Sequence, residues 1–557
     1  MNVQVDDIWK LLGPWGRYQI LTLAYLFIGM ITFAFTALGI VFTVGRGFTP
    51  PYTCKEISTN TSYLNDKIWN HNITQYEISY DQCHIDFRVN GSNNTDISFS
   101  LPCVNGYKYQ SEGDTIVTES WVAVSIHLIV FLRWDLVCED AGRGELTQTL
   151  LVFGQLFGAV FFPSFSDRFG RKTVYVFTTL IQFGLLLSIS FVKSYIAHAV
   201  LRFLIGALLE GFGLTSAIFM LEIFPKQCRG KVSASGAVFW SFSVMFLAPF
   251  GYLLRNYSWR YLQITTALTS IYGLFNYYFY DVRFLDESLR WLVANGKTDN
   301  AIKVVSRAAR WNNVDPEEPV KILLQTEQIM HDEQPRNKEI EHLGDNTARE
   351  TGAVERYNIL TIVRHKIVLK TTNSLTYYGL TLTSSTLAGN RFLNYFLTSV
   401  VEFPGAICYL YLIDRKGRKF SSIFFHAIAG VSLIIAVVLL VVGDDTGSLK
   451  IVSSVFSLLG KFGISSSFNV IFLFTPEMYP TNLRNVGIGM ASTAAKIGGM
   501  IAPFSMVLAA KAVWAPGVIF GGLCLLVTVL TTLLPETKGH ELPQFIEELK
   551  IWYKSQG

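Results

Sequence analysis

Asp167-Arg168-Phe169-Gly170-Arg171-Lys172 follows one long apolar run, and Asp414-Arg415-Lys416-Gly417-Arg418-Lys419 follows another. Each stretch is a short, positively charged turn. Each has glycine at its fourth position, where a tight reversal needs a positive φ or a close approach of backbone. One such turn alone is typical of a solvated loop. The same turn occurs again 247 residues later, and this repetition is what makes a plain solvated loop a poor explanation.

A second pair of motifs repeats in the same order. Glu222-Ile223-Phe224-Pro225-Lys226-Gln227-Cys228-Arg229 and Glu477-Met478-Tyr479-Pro480-Thr481-Asn482-Leu483-Arg484 share Glu, Pro and Arg at the same three positions, 255 residues apart. Two different motifs recurring at nearly one offset indicate an internal duplication. In a membrane chain such a duplication is typical of a transporter built from two related halves.

The composition places the chain in a membrane. Of its 557 residues, 50% are hydrophobic and 16% are charged, against about 25% charged in soluble proteins. Many apolar runs approach the ~20 residues that cross a bilayer. A net charge of +4 is too small to indicate a nucleic-acid partner. No nucleotide is expected either, because Gly296-Lys297-Thr298 lacks the earlier glycine of a phosphate loop; position 291 is Trp.

The apolar runs divide the chain. We expect a short polar N-terminus at 1–16, a first transmembrane helix at 17–44, an extracellular domain at 45–142, helices two to six at 145–282, a charged loop with surface helices at 283–364, helices seven to twelve at 365–534 and a C-terminus at 535–557. Within these limits the spans fall at about 145–165, 173–193, 196–220, 232–254, 260–282, 365–388, 391–413, 420–442, 449–474, 486–510 and 514–534.

The charge distribution predicts the orientation in the plasma membrane. An even number of spans puts both termini on one side. The basic turns at 168–172, 226–231 and 415–419 fall on that side. Because positive loops stay in the cytoplasm, both termini are predicted to be cytoplasmic.

The polar segment 45–142 then lies outside. It carries four glycosylation sequons, at Asn60, Asn72, Asn90 and Asn93, and four of the seven cysteines, Cys54, Cys83, Cys103 and Cys138. This combination indicates a glycosylated extracellular domain with two disulfides. Three connectivities remain open, and free thiols with unused sequons are the alternative.

Three ionisable residues lie near the middle of predicted spans. Glu210, Glu402 and Lys496 are each ~15–21 Å along their helices. Charges at that depth are costly and usually mark a substrate pathway. The alternative is a buried structural ion pair, for instance Glu402 with Lys496. Neighbouring aromatic residues supply candidate apolar walls and cation–π faces, with plain packing as the alternative: Tyr377, Tyr378, Phe239 and Trp240.

Enzymatic chemistry is not indicated. The sequence has no nucleophile elbow and no nucleotide motif, and His198, His426 and His540 lack metal-ligand spacing. We therefore expect no catalytic residue, no cofactor and no metal. Transport energy would come from the substrate gradient, from exchange or from a coupled ion.

The two glycine turns resemble the motif that the major facilitator superfamily carries between the second and third helices of each half. A closer resemblance, to the organic cation, carnitine and organic anion transporters of solute carrier family 22, rests on five stretches: Trp134-Asp135-Leu136-Val137-Cys138-Glu139, Asn373-Ser374-Leu375, Tyr377-Tyr378-Gly379-Leu380, Lys461 to Asn469 and Asn485-Val486-Gly487-Ile488-Gly489. The resemblance implies an all-α major facilitator fold. Twelve transmembrane helices would form two six-helix halves, with a large extracellular loop domain after the first helix.

The chain both follows and departs from the family pattern. Asp286 to Leu292 resembles the family's Pro-Glu-Ser-Pro-Arg-Trp-Leu with both prolines changed, and Pro535 to Gly539 matches its closing motif. Residues 120–133 interrupt a stretch that relatives keep continuous. A retained intron, a gene-model error or a lineage-specific loop would each explain the insert.

The resemblance also implies a mixed substrate pocket. Lys496 stands where cation transporters of the family carry Asp and anion transporters carry Arg, whereas Glu402 is typical of cation carriers. Such a pocket favours a small organic anion or a carnitine-like zwitterion as the substrate. An organic cation transporter, a sugar or inorganic-ion carrier, and a transport-dead receptor-like protein are the alternatives. A homo-oligomer held together by the extracellular domain is a further alternative to a monomer.

Finally, the resemblance implies a cytoplasmic latch, whose charges pair in the outward-open state and separate when the halves rock. Its residues are Asp167, Arg168, Gly170, Arg171, Glu222 and Arg229 in the first half, and Asp414, Arg415, Gly417, Arg418, Glu477 and Arg484 in the second.

Overall fold

The structure is a computed structural model. It describes residues 2–43, 52–56, 76–81, 83–89, 97–103, 107–109, 120–121, 132–133, 138, 142–273, 285–325, 356–387, 389–443, 447–478 and 484–538.

The first half of the membrane domain is helical. Its elements are α1 (Asn2–Leu11), α2 (Arg17–Leu38), α3 (Ile40–Thr43), α4 (Gly142–Phe169), α5 (Arg171–Ile189), α6 (Tyr195–Glu222), α7 (Arg229–Leu253) and α8 (Trp259–Thr269), followed by the loop helices α9 (Leu289–Ala294) and α10 (Thr298–Asn312). The second half contains α11 (Arg356–Leu382), α12 (Arg391–Val400), α13 (Glu402–Lys416), α14 (Arg418–Val442), α15 (Gly447–Glu477), α16 (Arg484–Ile501), α17 (Phe504–Lys511) and α18 (Ala515–Thr532).

Ten helical segments in the described residues are long and apolar enough to cross a membrane: 17–42, 142–169, 171–189, 195–222, 229–253, 391–416, 418–442, 448–475, 491–511 and 515–532. The other two predicted spans, about 260–282 and 365–388, overlap α8 (Trp259–Thr269) and α11 (Arg356–Leu382) in part. Residues 274–284 lie outside the described ranges. The helix α11 carries Arg364, Lys366 and Lys370 in its first half, which lowers its apolar character.

Both glycine turns have the conformation that the sequence predicted. Gly170 has φ +99° and Gly417 has φ +92°, in the region that favours glycine. They begin α5 and α14. A Cβ at Gly170 would collide with the carboxylate of Glu287, and one at Gly417 with that of Glu536. Both turns therefore need positive φ and close approach together.

The segment between α3 and α4 contains antiparallel strands: β1 (Tyr52–Cys54) pairs β5 (Tyr107–Tyr109), β3 (His84–Val89) lies between β2 (Tyr76–Tyr80) and β4 (Ile97–Pro102), and β6 (Ser120–Trp121) pairs β7 (Leu132–Arg133). Two disulfides, Cys54–Cys103 and Cys83–Cys138, select one of the three connectivities. The two ends of the 120–133 insert pair with each other, Ser120 opposite Arg133. The four sequons lie outside the described residues.

The N-terminal residues differ from the short polar start expected at 1–16. They form α1, and the side chains of Val5, Ile8 and Trp9, together with Leu12 just after the helix, are buried against α9 and α10. These four recur with helical spacing, so they share one face. Asp6 holds the helix in place through ion pairs with Arg229 and Arg290.

The two halves meet at the end of the membrane domain from which Thr43 leads to the strands. Phe42 of α3 packs against Phe392 and Tyr395 of α12, with ring centroids 5.9 and 4.8 Å apart. Thr149 of α4 donates a hydrogen bond to the Met500 carbonyl of α16 at 2.9 Å. Contacts between the halves therefore close this end of the domain.

Candidate functional site

A charged contact joins the two halves near mid-span. The ammonium of Lys496 on α16 lies 2.6 Å from the carboxylate of Glu210 on α6. It also donates a hydrogen bond to Gln155 Oε1 on α4 at 3.1 Å. The Lys496 and Glu210 side chains are 17% and 10% exposed. This pair is therefore partly accessible, and any widening of the gap between the halves must separate its charges.

A second ion pair lies deeper, within the second half. Lys461 Nζ on α15 is 3.0 Å from Glu402 Oε1 on α13, and the two side chains are only 1% and 3% exposed. The ammonium also donates to Thr381 Oγ1 and lies 3.4 Å from the ring centroid of Tyr377. Its charge is thus satisfied by a carboxylate, a hydroxyl and an aromatic face.

Tyr377 connects this buried pair to the other half. Its hydroxyl donates to Glu402 Oε2 at 3.1 Å and accepts from Trp240 Nε1 on α7 at 3.0 Å. Tyr378 packs edge-on against Tyr377. Phe239 instead stacks on Phe27, with centroids 4.8 Å apart. The structure thus joins Tyr377 and Trp240 to Glu402 by hydrogen bonds and leaves Phe239 in an aromatic stack.

The alternative pairing of Glu402 with Lys496 is wrong in this conformation. Lys461 occupies the Glu402 carboxylate, and Glu210 takes Lys496. Lys461 is a fourth mid-span charge, which was not among the three predicted ones. The sequence does contain the signal that would have identified it, since Lys461 lies as deep in the predicted span 449–474 as the other three residues lie in theirs. Buried Arg202 and Lys370 were missed as well.

The first latch turn is held by a network of the first half. Arg171 Nη2 lies 2.8 Å from Asp167, and its Nε lies 3.4 Å from Glu222. Ser288 also donates to Glu222. Glu287 accepts backbone hydrogen bonds from Lys172 and Ser288 at 3.0 and 2.9 Å, which caps α5. Burial raises the pKa of the Glu287 carboxyl above its ordinary value.

The second half repeats this arrangement. Arg418 forms two hydrogen bonds of 3.0 Å with Glu477, and Thr537 donates to the same carboxylate at 2.6 Å. Glu536 accepts the backbone N–H groups of Arg418 and Lys419 at 2.8 and 3.0 Å, which caps α14. The internal duplication therefore extends to equivalent hydrogen bonds.

Four residues that contact the predicted latch turns were not themselves predicted. Glu287-Ser288 and Glu536-Thr537 lie 249 residues apart and make equivalent contacts in their halves. Both appear in the sequence as Glu followed by a hydroxyl residue, a shared pattern that could have identified them.

The remaining predicted latch residues are placed as follows. Arg229 pairs with Asp6, Arg168 lies 5.5 Å from the ring centroid of Phe169, and Arg415 lies 4.4 Å from that of Tyr411. The Asp414 carbonyl accepts from Lys538 at 2.6 Å. Arg484 begins α16, and its side chain lies outside the description. The Arg171 and Arg418 networks are intact while the halves meet at the Thr43 end. Contact between the halves at that end therefore does not require these charges to separate, which differs from the expected latch.

Metal binding is not supported in the part of the chain that the structure describes. There, no three His, Cys, Asp or Glu side chains converge in a way that could hold an ion.

Comparison with known proteins identifies relatives along nearly the whole chain. Organic cation transporter protein of Drosophila melanogaster is 29% identical over 98% of this chain and 94% of its own length. Solute carrier family 22 member 1 of Oryctolagus cuniculus is 29% identical over 98% and 95%. Human organic cation/carnitine transporter 2 is 27% identical over 98% and 93%.

Solved structures show the same fold. The partially occluded inward-open xylose transporter XylE from E. coli matches with a TM-score of 0.59 at 14% identity, covering 94% of this chain and all of that one. A structure described as the major facilitator superfamily proton:xylose symporter XylE matches with a TM-score of 0.55 at 14% identity, over 96% and 99%. The all-α major facilitator fold expected from the sequence is confirmed.

The family model described as "Sugar (and other) transporter" matches residues 93–549. The chain therefore belongs to the sugar (and other) transporter family, and its resemblance to solute carrier family 22 of the major facilitator superfamily is confirmed.

Proposed function

We propose that this protein carries small organic ions across the plasma membrane by alternating access, with organic anions and zwitterions as its preferred substrates. The observation that carries the proposal is the Lys496–Glu210 pair, which spans the two halves near mid-membrane at 2.6 Å. Relatives named as organic cation and organic cation/carnitine transporters support small organic ions as the substrate class.

The pair offers both charges that a zwitterion needs. A substrate carboxylate would replace Glu210 as the partner of Lys496, and a substrate cation would then neutralise the released Glu210. Neither charge is left unpaired at any stage, which matters because unpaired charges in the membrane interior are costly. An anion alone would leave Glu210 to a coupled cation or a proton, while a neutral sugar carries no charge that could replace either partner.

Glu402 has a different role in this proposal. Its pair with Lys461 is too buried for direct substrate contact, with side chains 3% and 1% exposed. It instead positions the Tyr377 hydroxyl, which holds Trp240 of the opposite half. Glu402 therefore acts on the interface between the two halves through Tyr377.

The latch networks set the balance between conformations. Each fixes the cytoplasmic turn of one half to that half's own helices, through Arg171–Glu222 and Arg418–Glu477. A rigid turn allows each half to move as one body. A change of a few kcal/mol in this balance is enough to trap one state.

The proposed orientation follows from the charges and the disulfides. Both termini and the latch turns face the cytoplasm, and the disulfide-bonded strand segment lies outside, where oxidised cysteines persist.

An organic cation transporter is the second candidate. The Glu210 carboxylate and the aromatic side chains of Tyr378 and Trp240 favour it, since a cation can bind a carboxylate and an aromatic face.

Uptake of a labelled organic anion, a labelled organic cation and labelled carnitine into one cell line tests both candidates. Cells that express the protein should accumulate the anion or the carnitine above control cells. Uptake of the cation alone would favour the second candidate. Equal uptake of every label by both cell populations, with the protein at the surface, would contradict transport of these substrates.

A further inference from the structure

A basic pocket lies where the membrane helices α4 and α5 meet the loop helices α9 and α10. It has a volume of about 590 Å³. Five basic side chains and two acidic ones line it, which leaves a net charge of +3: Lys172, Lys297, Lys303, Arg307, Arg310, Asp286 and Glu287. None of the transport site lies in it, so its charge needs a separate explanation.

The acidic side chains of the pocket are engaged locally. Asp286 pairs with Arg307 and accepts a hydrogen bond from Tyr18. Glu287 accepts the backbone N–H groups that cap α5. The remaining positive charge is spread over both walls. On α10, Lys303 and Arg310 are exposed and lie on one helical face with Arg307.

One wall of the pocket belongs to the membrane-facing surface. Phe169 lines the pocket and is 53% exposed. On the same two helices, Phe165 and Phe177 are 45% and 59% exposed, as expected of side chains that contact lipid. The candidate span of α5 begins at Arg171. The mouth of the pocket therefore lies at the level of the lipid headgroups.

We propose that this pocket binds the phosphorylated headgroup of an anionic lipid in the adjacent leaflet, with the acyl chains lying along Phe165 and Phe169. Basic pockets beside transmembrane helices are suited to such headgroups. The cytoplasmic identity of that leaflet rests on the proposed orientation, but the binding itself does not. The stretch Gly296-Lys297-Thr298, which does not form a nucleotide loop, supplies Lys297 to the rim.

The bound headgroup would act on the first latch turn. Trp291 lines the pocket and donates its indole N–H to the Asp167 carbonyl at 2.7 Å. Lys297 lies 4.4 Å from the Trp291 ring centroid. Glu287 caps α5 at the other end of the turn. A ligand that fixes these side chains also fixes the turn, so the lipid would shift the conformational equilibrium of the transporter.

Native mass spectrometry of the purified full-length protein tests the proposal, with a short-chain bisphosphorylated phosphatidylinositol as the probe. The wild type should bind one such lipid. The double variant Lys303→Gln/Arg310→Gln should bind it about 25-fold more weakly, from about fivefold for each basic residue. The matched control Lys231→Gln/Lys321→Gln removes the same charge from exposed residues outside the pocket lining and should bind normally.

Inositol trisphosphate, the free headgroup, distinguishes the two sources of phosphate. It should bind at least tenfold more weakly than the lipid. Equal binding of both probes would assign the pocket to a soluble phosphorylated metabolite and overturn the lipid proposal. Unchanged lipid binding by the Lys303→Gln/Arg310→Gln variant would overturn the assignment of the lipid to this pocket. Because binding is measured without transport, failure of the transport proposal would leave both results readable.

Discussion

At the residue scale, the two mid-span ion pairs differ in how accessible their side chains are. Lys496 and Glu210 are partly exposed between the halves, whereas Lys461 and Glu402 are sealed within one half. A sealed pair is costly to break, since removal of one partner leaves the other charge buried and unpaired. An accessible pair can exchange its partner for a substrate.

This difference predicts the effect of Glu402→Gln. The substitution leaves the Lys461 ammonium without its carboxylate, so we expect a loss of about 3–5 kcal/mol in stability. Thermal unfolding of the detergent-purified protein measures it. The double variant Glu402→Gln/Lys461→Met should recover most of that loss, because no buried charge remains. A single variant as stable as the wild type would show that Lys461 does not depend on Glu402.

At the element scale, the latch turns show what the sequence can and cannot predict. The repeated glycines predicted a positive φ or a close approach, and Gly170 and Gly417 show both. The network around them was only partly predictable. Glu287 and Glu536 reach the turns from segments more than 100 residues away in the chain, and sequence spacing does not show which distant loops come together.

The partners of the mid-span charges could not be predicted from the sequence for a similar reason. Position within a span gives the depth of Lys496 in the membrane, but it gives neither the direction of the side chain around the helix nor the neighbouring helix. The partner Glu210 therefore could not be distinguished from Glu402. The docking of α1 was different: Ile8, Trp9 and Leu12 have the spacing of one apolar helical face, a signal that the expectation of a short polar start overlooked.

We expect Arg171→Ala to reduce transport about tenfold or more at normal surface expression. The variant loses the contacts with Asp167 and Glu222, and about 1.4 kcal/mol in the conformational balance corresponds to a factor of ten. Initial uptake rates normalised to surface-biotinylated protein measure the effect. Arg168→Ala removes the same charge from the same turn without breaking those contacts, so its loss should be smaller. Equal losses of transport in the two variants would show that the charge of the turn matters and the Arg171 contacts do not.

At the scale of the whole molecule, the sidedness of the strand segment has its own test. We predict glycan on at least one of Asn60, Asn72, Asn90 and Asn93, and oxidation of Cys54, Cys83, Cys103 and Cys138. Glycosidase treatment of intact cells should increase gel mobility, and an impermeant maleimide should label the four cysteines only after reduction. Unchanged mobility, no labelling by the impermeant maleimide even after reduction, and labelling of the unreduced protein by a permeant maleimide would together place the segment on the cytoplasmic side.

The proposed substrate site is also a property of the whole molecule, because Lys496 and Glu210 come together only where the halves meet. The contacts of Phe42 with Phe392 and Tyr395 close one end of that interface, and the Lys496–Glu210 contact lies between the closed end and the latch turns. The sign of the charge at position 496 should then decide which ions pass.

The most direct test is the ratio of organic anion or carnitine uptake to organic cation uptake by Lys496→Asp, measured against the wild type at equal surface expression. The substitution changes the site by two charge units, from +1 to −1 at position 496. We predict that the ratio falls at least tenfold in Lys496→Asp, while Lys496→Arg keeps partial activity and the wild-type preference because its charge survives in a different geometry. An unchanged ratio in a Lys496→Asp protein that reaches the surface and still transports would contradict the assignment of Lys496 to the substrate.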